Sequence, residues 1–238
     1  MDEAQRFLRY VLPGIVFLAE LLVLLFILFP DWTTSQLKVI KGDQGLGVVL
    51  ASVLASGGIG FVLSVLYHVI LWSPLDRCRF NHAPIVASLR TANVIQLRDA
   101  TTNAQIRDDA AISRHDAWVI ATSLWNERVD SSRHIKGANR QAALLVDMLH
   151  AVGTARVATP IAWIAVLFIA THIGHISWEY EPVLRFVFAI VVAALLFATF
   201  HCSFVRISNL YEDFVAEVLH DALRLENQIP IITRVTLR

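Results

Sequence analysis

Residues 10–29 read YVLPGIVFLAELLVLLFILF, twenty residues containing a single acid, Glu20. At about 1.5 Å per residue the run spans the roughly 30 Å hydrocarbon core of a bilayer. A central carboxylate costs about 2.5–3.5 kcal/mol, against roughly 0.3–0.6 kcal/mol gained by each Leu, Ile, Phe or Val. Fifteen such residues are present, so insertion wins. The run is too long for a signal-peptide core, and Phe29-Pro30-Asp31-Trp32 offers no small-x-small cleavage site. It predicts a retained first transmembrane helix, entered through Pro13-Gly14.

Three more apolar runs follow, at about 46–72, 157–176 and 183–202. With the first they form two hairpins. Residues 31–45 form a short polar link, and Ser177-Trp-Glu-Tyr-Glu-Pro182 is a short acidic and aromatic one. The expected fold is therefore all-α, a polytopic membrane protein with four transmembrane helices and a small helical cytoplasmic domain. Hydrophobic residues at 56% and charged residues at 17% agree, because a soluble domain carries about a quarter charged residues. The formal net charge of zero argues against nucleic acid as a partner. Two cysteines without paired spacing suggest neither a disulfide framework nor a metal finger.

Basic residues set the orientation. The central segment, 73–156, holds eleven of the twenty Lys and Arg residues, the N-terminus has Arg6 and Arg9, and the tail has Arg206, Arg224, Arg234 and Arg238. The links carry only Lys38, Lys41 and, at the start of the fourth run, Arg185. The positive-inside rule places both termini and the central segment in the cytoplasm, with a bacterial inner membrane as the favoured location. Cys78 and Cys202 then face a reducing compartment as free thiols.

The expected divisions are a hairpin at 1–72, a helical insertion at 73–156, a second hairpin at 157–203 and an amphipathic helix with tail at 204–238. Within 113–129, Trp118, Ala121, Thr122, Trp125 and Val129 share a helical stripe. Gly137-Ala138-Asn139 reads as a break before a helix near Arg140, with Gly153 and Pro160 as kinks. Residues 85–112 are mixed and read as helical. In the tail, Ile207, Tyr211, Phe214, Val218, Ala222 and Leu225 repeat at helical steps, and 229–233 has strand character.

Glu20 is the first candidate site. In an antiparallel hairpin, middle meets middle, which sets Glu20 at the depth of Ser56, Gly57, Gly58 and Gly60. Small residues at spacing four (Ala51/Ala55, Ser52/Ser56, Ser56/Gly60) let a second helix approach closely. An acid there needs a partner or water, so Glu20 with Ser52 and Ser56 reads as an ion- or proton-handling site. The competing reading is a neutral Glu20 bonded to Ser52 or Ser56 to specify helix pairing.

Two further patterns carry chemistry. His68 and His201 lie about four residues from the cytoplasmic ends of their helices, at similar depth. Two imidazoles on facing helices resemble the haem-binding pattern of membrane b-type cytochromes, and that resemblance implies haem on His68 and His201. His172 and His175, near the outer face, lack such a partner. Arg128 and His134 have a spacing that resembles HEPN ribonucleases, which implies a basic pair acting on an RNA phosphate. Interfacial histidines and solvated charges are the competing readings, and neither cofactor nor metal is expected. The leading reading is a non-enzymatic, homo-oligomeric protein that couples cytoplasmic events to the membrane as a pore, effector or signalling anchor. Its partners would be the lipid bilayer, its own copies, and a cytoplasmic protein docked on 113–129 and 207–225.

Overall fold

In a computed structural model the chain is predominantly helical, and the structure describes residues 7–39, 43–72, 82–99, 105, 112–129, 133–173, 180–225 and 231–234. It divides into two units: unit 1 comprises Met1–Arg77 and Asp147–Arg206, and unit 2 comprises Cys78–Val146 and Ile207–Arg238.

Unit 1 contains helix α1 (Leu12–Leu28), preceded by a π-helical turn over Phe7–Val11. Pro13 sits in the first turn of α1, where its missing N–H is no loss. Phe29 leaves helical geometry, and Pro30 opens α2 (Pro30–Val39). The predicted polar link thus contains a helix. Its start has Pro30 first and Asp31 in the first turn, and Thr33 donates its hydroxyl to the carbonyls of Leu25 and Phe29, at the C-terminal end of α1, at 3.0 and 2.8 Å. Helix α3 (Asp43–Leu66) ends in a second π-helical turn, Tyr67–Trp72.

Two long helices contribute to both units. Helix α6 spans Arg133–Ile173 and α7 spans Tyr180–Leu225, each without interruption. The expected break at Gly137-Ala138-Asn139 does not occur, because Gly137 and Asn139 lie on an exposed face, where glycine costs only about 1 kcal/mol. Asn139 also accepts from Trp125 Nε1 at 3.0 Å. Four helical stretches are long and apolar enough to cross a membrane: Phe7–Leu28, Gly47–Ile70, Ile135–Thr171 and Pro182–Arg224. Their outward faces are apolar as well, with Leu54 81%, Phe168 65% and Leu195 63% exposed. Such broad exposed apolar faces suit a membrane-embedded protein.

Unit 2 is built around α4 (Ala83–Thr91), β1 (Gln96–Asp99), α5 (Arg114–Val129), β2 (Ile231–Arg234) and the ends of α6 and α7. Helix α4 stops at Asn93, whose φ of 57° is left-handed. There the N–H of Asn93 bonds the Arg90 carbonyl and that of Val94 bonds the Leu89 carbonyl, a Schellman closure. Val94 and Leu89 are both buried in the core, completing it. The chain then extends into β1, which pairs in parallel with β2, Gln96 opposite Ile231 through Asp99 opposite Arg234. Residues 96–99, predicted helical, are therefore strand; the β2 ladder four positions long supplies the partner that local propensity does not reveal. The 229–233 run does form strand over 231–233.

Ser113 caps α5, its Oγ accepting from the Asp116 N–H at 3.1 Å. The buried face of α5 is Ala117, Ile120, Ala121, Leu124 and Arg128, one step from the predicted tryptophan stripe. Trp118 is 48% exposed and stacks on His115 with ring centroids 6.0 Å apart. On α7 the core face is Val215, Val218, Leu219, Ala222 and Leu223, with Tyr211 and Phe214 at its margin. Leu219→Ala removes a fully buried side chain from this core, with an expected cost of about 2–5 kcal/mol. Faster amide exchange across α4 and β1 is the readout, and unchanged protection there would contradict this packing.

Candidate functional site

Helix α6 is buried at almost every position from Leu149 to Thr159, and polar side chains leave it toward each of its neighbours in unit 1. Toward α1, Asp147 lies 3.7 Å from Arg9 Nε, and Thr159 donates its hydroxyl to Glu20 Oε1 at 3.1 Å. The two pairs advance together, eleven residues from the Phe7–Val11 turn into α1 and twelve along α6, so these segments run parallel in register.

Toward α3, His150 meets His68 at a ring-centroid distance of 4.9 Å and Tyr67 at 6.1 Å. Tyr67 is fully buried and also meets His68 and Phe204 edge-on. Gly153 makes room for it, since a Cβ there would overlap the Tyr67 ring. His68 Nδ1 lies 2.7 Å from the Ser64 carbonyl, an acceptor only, so Nδ1 carries the proton. Thr154 donates back to the His150 carbonyl at 2.7 Å.

Toward α7, Arg156 NH1 lies 3.1 Å from His201 Nδ1, and its guanidinium sits 4.5 Å above the Phe204 ring. Arginine can only donate, so His201 Nδ1 accepts and the neutral ring holds its proton on Nε2. A buried cation is thus supported by a lone pair and an aromatic face.

Helices α1 and α3 meet through two glycines. A Cβ on Gly14 would overlap the Ser56 carbonyl, and one on Gly60 would overlap the Tyr10 carbonyl. Pairing 14 with 56 and 10 with 60 puts Glu20 level with about residue 50, six residues from the expected depth. The midpoints do not meet because α1 crosses α3 nearer its own N-terminal end. A Cβ on Gly57 would lie 3.9 Å from Val11 Cγ2, an ordinary contact, and nothing lies within 4 Å of a Cβ on Gly58. Ser52 is exposed, and Ser56 donates to the Val53 carbonyl of its own helix at 2.6 Å. The hydroxyl that holds Glu20 therefore comes from Thr159, not from Ser52 or Ser56.

The other sequence candidates are dispersed. His68 engages His150 and Ser64, and His201 engages Arg156. Cys202 is a free, exposed thiol, and Cys78 lies outside the described residues. Arg128 belongs to unit 2 and is buried, its NH1 3.2 Å from Glu127 Oε2 and 3.4 Å from the Leu124 carbonyl. A guanidinium turned inward in this way is not offered to an RNA phosphate. The side chains of His134 and His172, and all of His175, lie outside the described residues. No group of three or more His, Cys, Asp or Glu side chains converges as a metal site among the described residues.

Compared with known proteins, this chain matches no family model, no curated protein and no solved structure. Sequence reading missed Asp147, His150 and Arg156 because they fall in the polar insertion, and Thr159 because it is a hydroxyl residue inside the third apolar run. Their signal was present: Asp147, His150 and Thr154 follow a three-then-four spacing, one helical face that continues into the third apolar run.

Proposed function

We propose that this chain is a homo-oligomeric inner-membrane protein that couples cytoplasmic events to ion movement, as a pore-forming effector. In this reading unit 1 crosses the bilayer four times, while unit 2 and both termini face the cytoplasm. One observation carries the reading. Helices α6 and α7 each belong to both units without a break, and α6 bears the buried polar side chains along its unit 1 portion. In this reading, displacement of the unit 2 portion of α6 is what shifts the polar groups on its unit 1 portion.

The distribution of Arg and Lys supports the orientation. Exposed apolar residues on α1, α3 and α7 support contact with lipid and with further copies. A protein partner in the cytoplasm is supported by Trp118 on α5 and Leu210 on α7, both about half exposed. Neutral total charge supports no role for nucleic acid.

Ion flux into liposomes carrying the purified protein tests the reading. Wild-type protein should pass cations, and Glu20→Gln should change that flux several-fold without changing the oligomer's mass. Wild-type liposomes no leakier than empty ones would contradict conduction.

A further inference from the structure

We infer that Glu20 and Thr159 form a binding site for a monovalent cation, a proton or Na⁺, loaded from the Arg9–Asp147 side and closed on the opposite side by apolar packing. The inference rests on the proposed membrane placement but not on conduction.

Glu20 is 5% exposed, and Thr159 occupies only its Oε1. Oε2 is fully buried and has no hydrogen-bond partner among the described residues. A buried carboxylate oxygen without a donor is costly unless it carries a proton or faces a cation. No ion pair to Glu20 occurs among the described residues. The cations on its own and the packed helices are engaged elsewhere, Arg156 with His201 and Phe204, and Arg9 with Asp147. Among the described residues, no fixed positive charge pairs with Glu20 in place of a mobile one. The two oxygens at hand, carboxylate and hydroxyl, are hard donors suited to H⁺ or an alkali ion.

Access is unequal on the two sides. Within two turns beyond Glu20 and Thr159, Leu24, Leu25, Ala162, Val166 and Ala189 form an apolar cluster, with Leu21 and Trp163 packed against it. One turn before Thr159 comes Arg156 with His201, and before that His150 with His68, then Asp147 with Arg9. Among the described residues, charged groups lead toward the site from that side, and apolar side chains pack past it.

Dicyclohexylcarbodiimide, an apolar reagent for protonated carboxyl groups, tests the site on full-length protein in mild detergent, with the label on the Glu20 peptide read by mass spectrometry. Glu20→Gln protein supplies the background. For a proton site, labelling should be indifferent to Na⁺ and fall about tenfold per pH unit over the alkaline limb of a series from about pH 5 to about pH 9. For a Na⁺ site, excess Na⁺ should slow labelling several-fold where choline does not. Labelling insensitive to both pH and Na⁺, or absent throughout, would overturn the inference. Labelling with Na⁺ protection but no liposome flux would retain this site and reject the pore; flux without labelling would do the reverse.

Discussion

Gly60→Leu should separate α1 from α3, whereas Gly58→Leu, two residues away, should be nearly silent. The difference comes from backbone proximity. A Cβ on Gly60 would overlap the Tyr10 carbonyl and lie 3.0 Å from the Gly14 amide nitrogen. Main chain cannot change rotamer to make way, so the helices must part. Overpacking a core costs about 1–3 kcal/mol when side chains can yield, and backbone contact belongs at or above the top of that range. At Gly58 nothing lies within 4 Å, so even alanine there gains helix propensity, up to about 1 kcal/mol. Unfolding of the two variants in mixed detergent ranks them, and equal losses would contradict this helix pairing.

Tyr67→Ala carries the second large effect. The side chain is fully buried among His68, His150, Phe204 and Gly153, so truncation leaves a cavity where three elements meet. Loss of a buried aromatic costs about 3–5 kcal/mol. Gly153→Ala should also destabilise, because its Cβ would occupy the space of the Tyr67 ring. The double variant should lose less than the two single losses together, since each change relieves the other, with a coupling on the order of 1 kcal/mol or more. Strict additivity in thermal melts of the four proteins would show that Tyr67 and Gly153 do not share this contact.

These residues also show what a sequence can reveal. The four apolar helices were legible because twenty apolar residues in a row have few alternatives. The continuation of α7 was legible because its heptad-like stripe persists past residue 204. Gly60 was among the expected packing residues, but its partners Tyr10 and Gly14 depend on the register of two helices, which spacing within one helix cannot fix. The same register error put Glu20 beside Ser56. Its hydroxyl partner, Thr159, is 139 residues away, and no local pattern encodes such a meeting. Strand β1 was missed for a similar reason, as the strand it pairs with, β2, is at the far end of the chain.

Everything proposed for function requires Ser35, on α2, and Glu217, on α7, to lie on opposite sides of a membrane. Single cysteines at these two positions, in a Cys78→Ser/Cys202→Ser background, can be probed with a membrane-impermeant maleimide on intact bacterial spheroplasts. Ser35→Cys should label from outside, and Glu217→Cys only after lysis. Labelling of both without lysis, or of neither, would contradict a chain that crosses the bilayer with its termini inside.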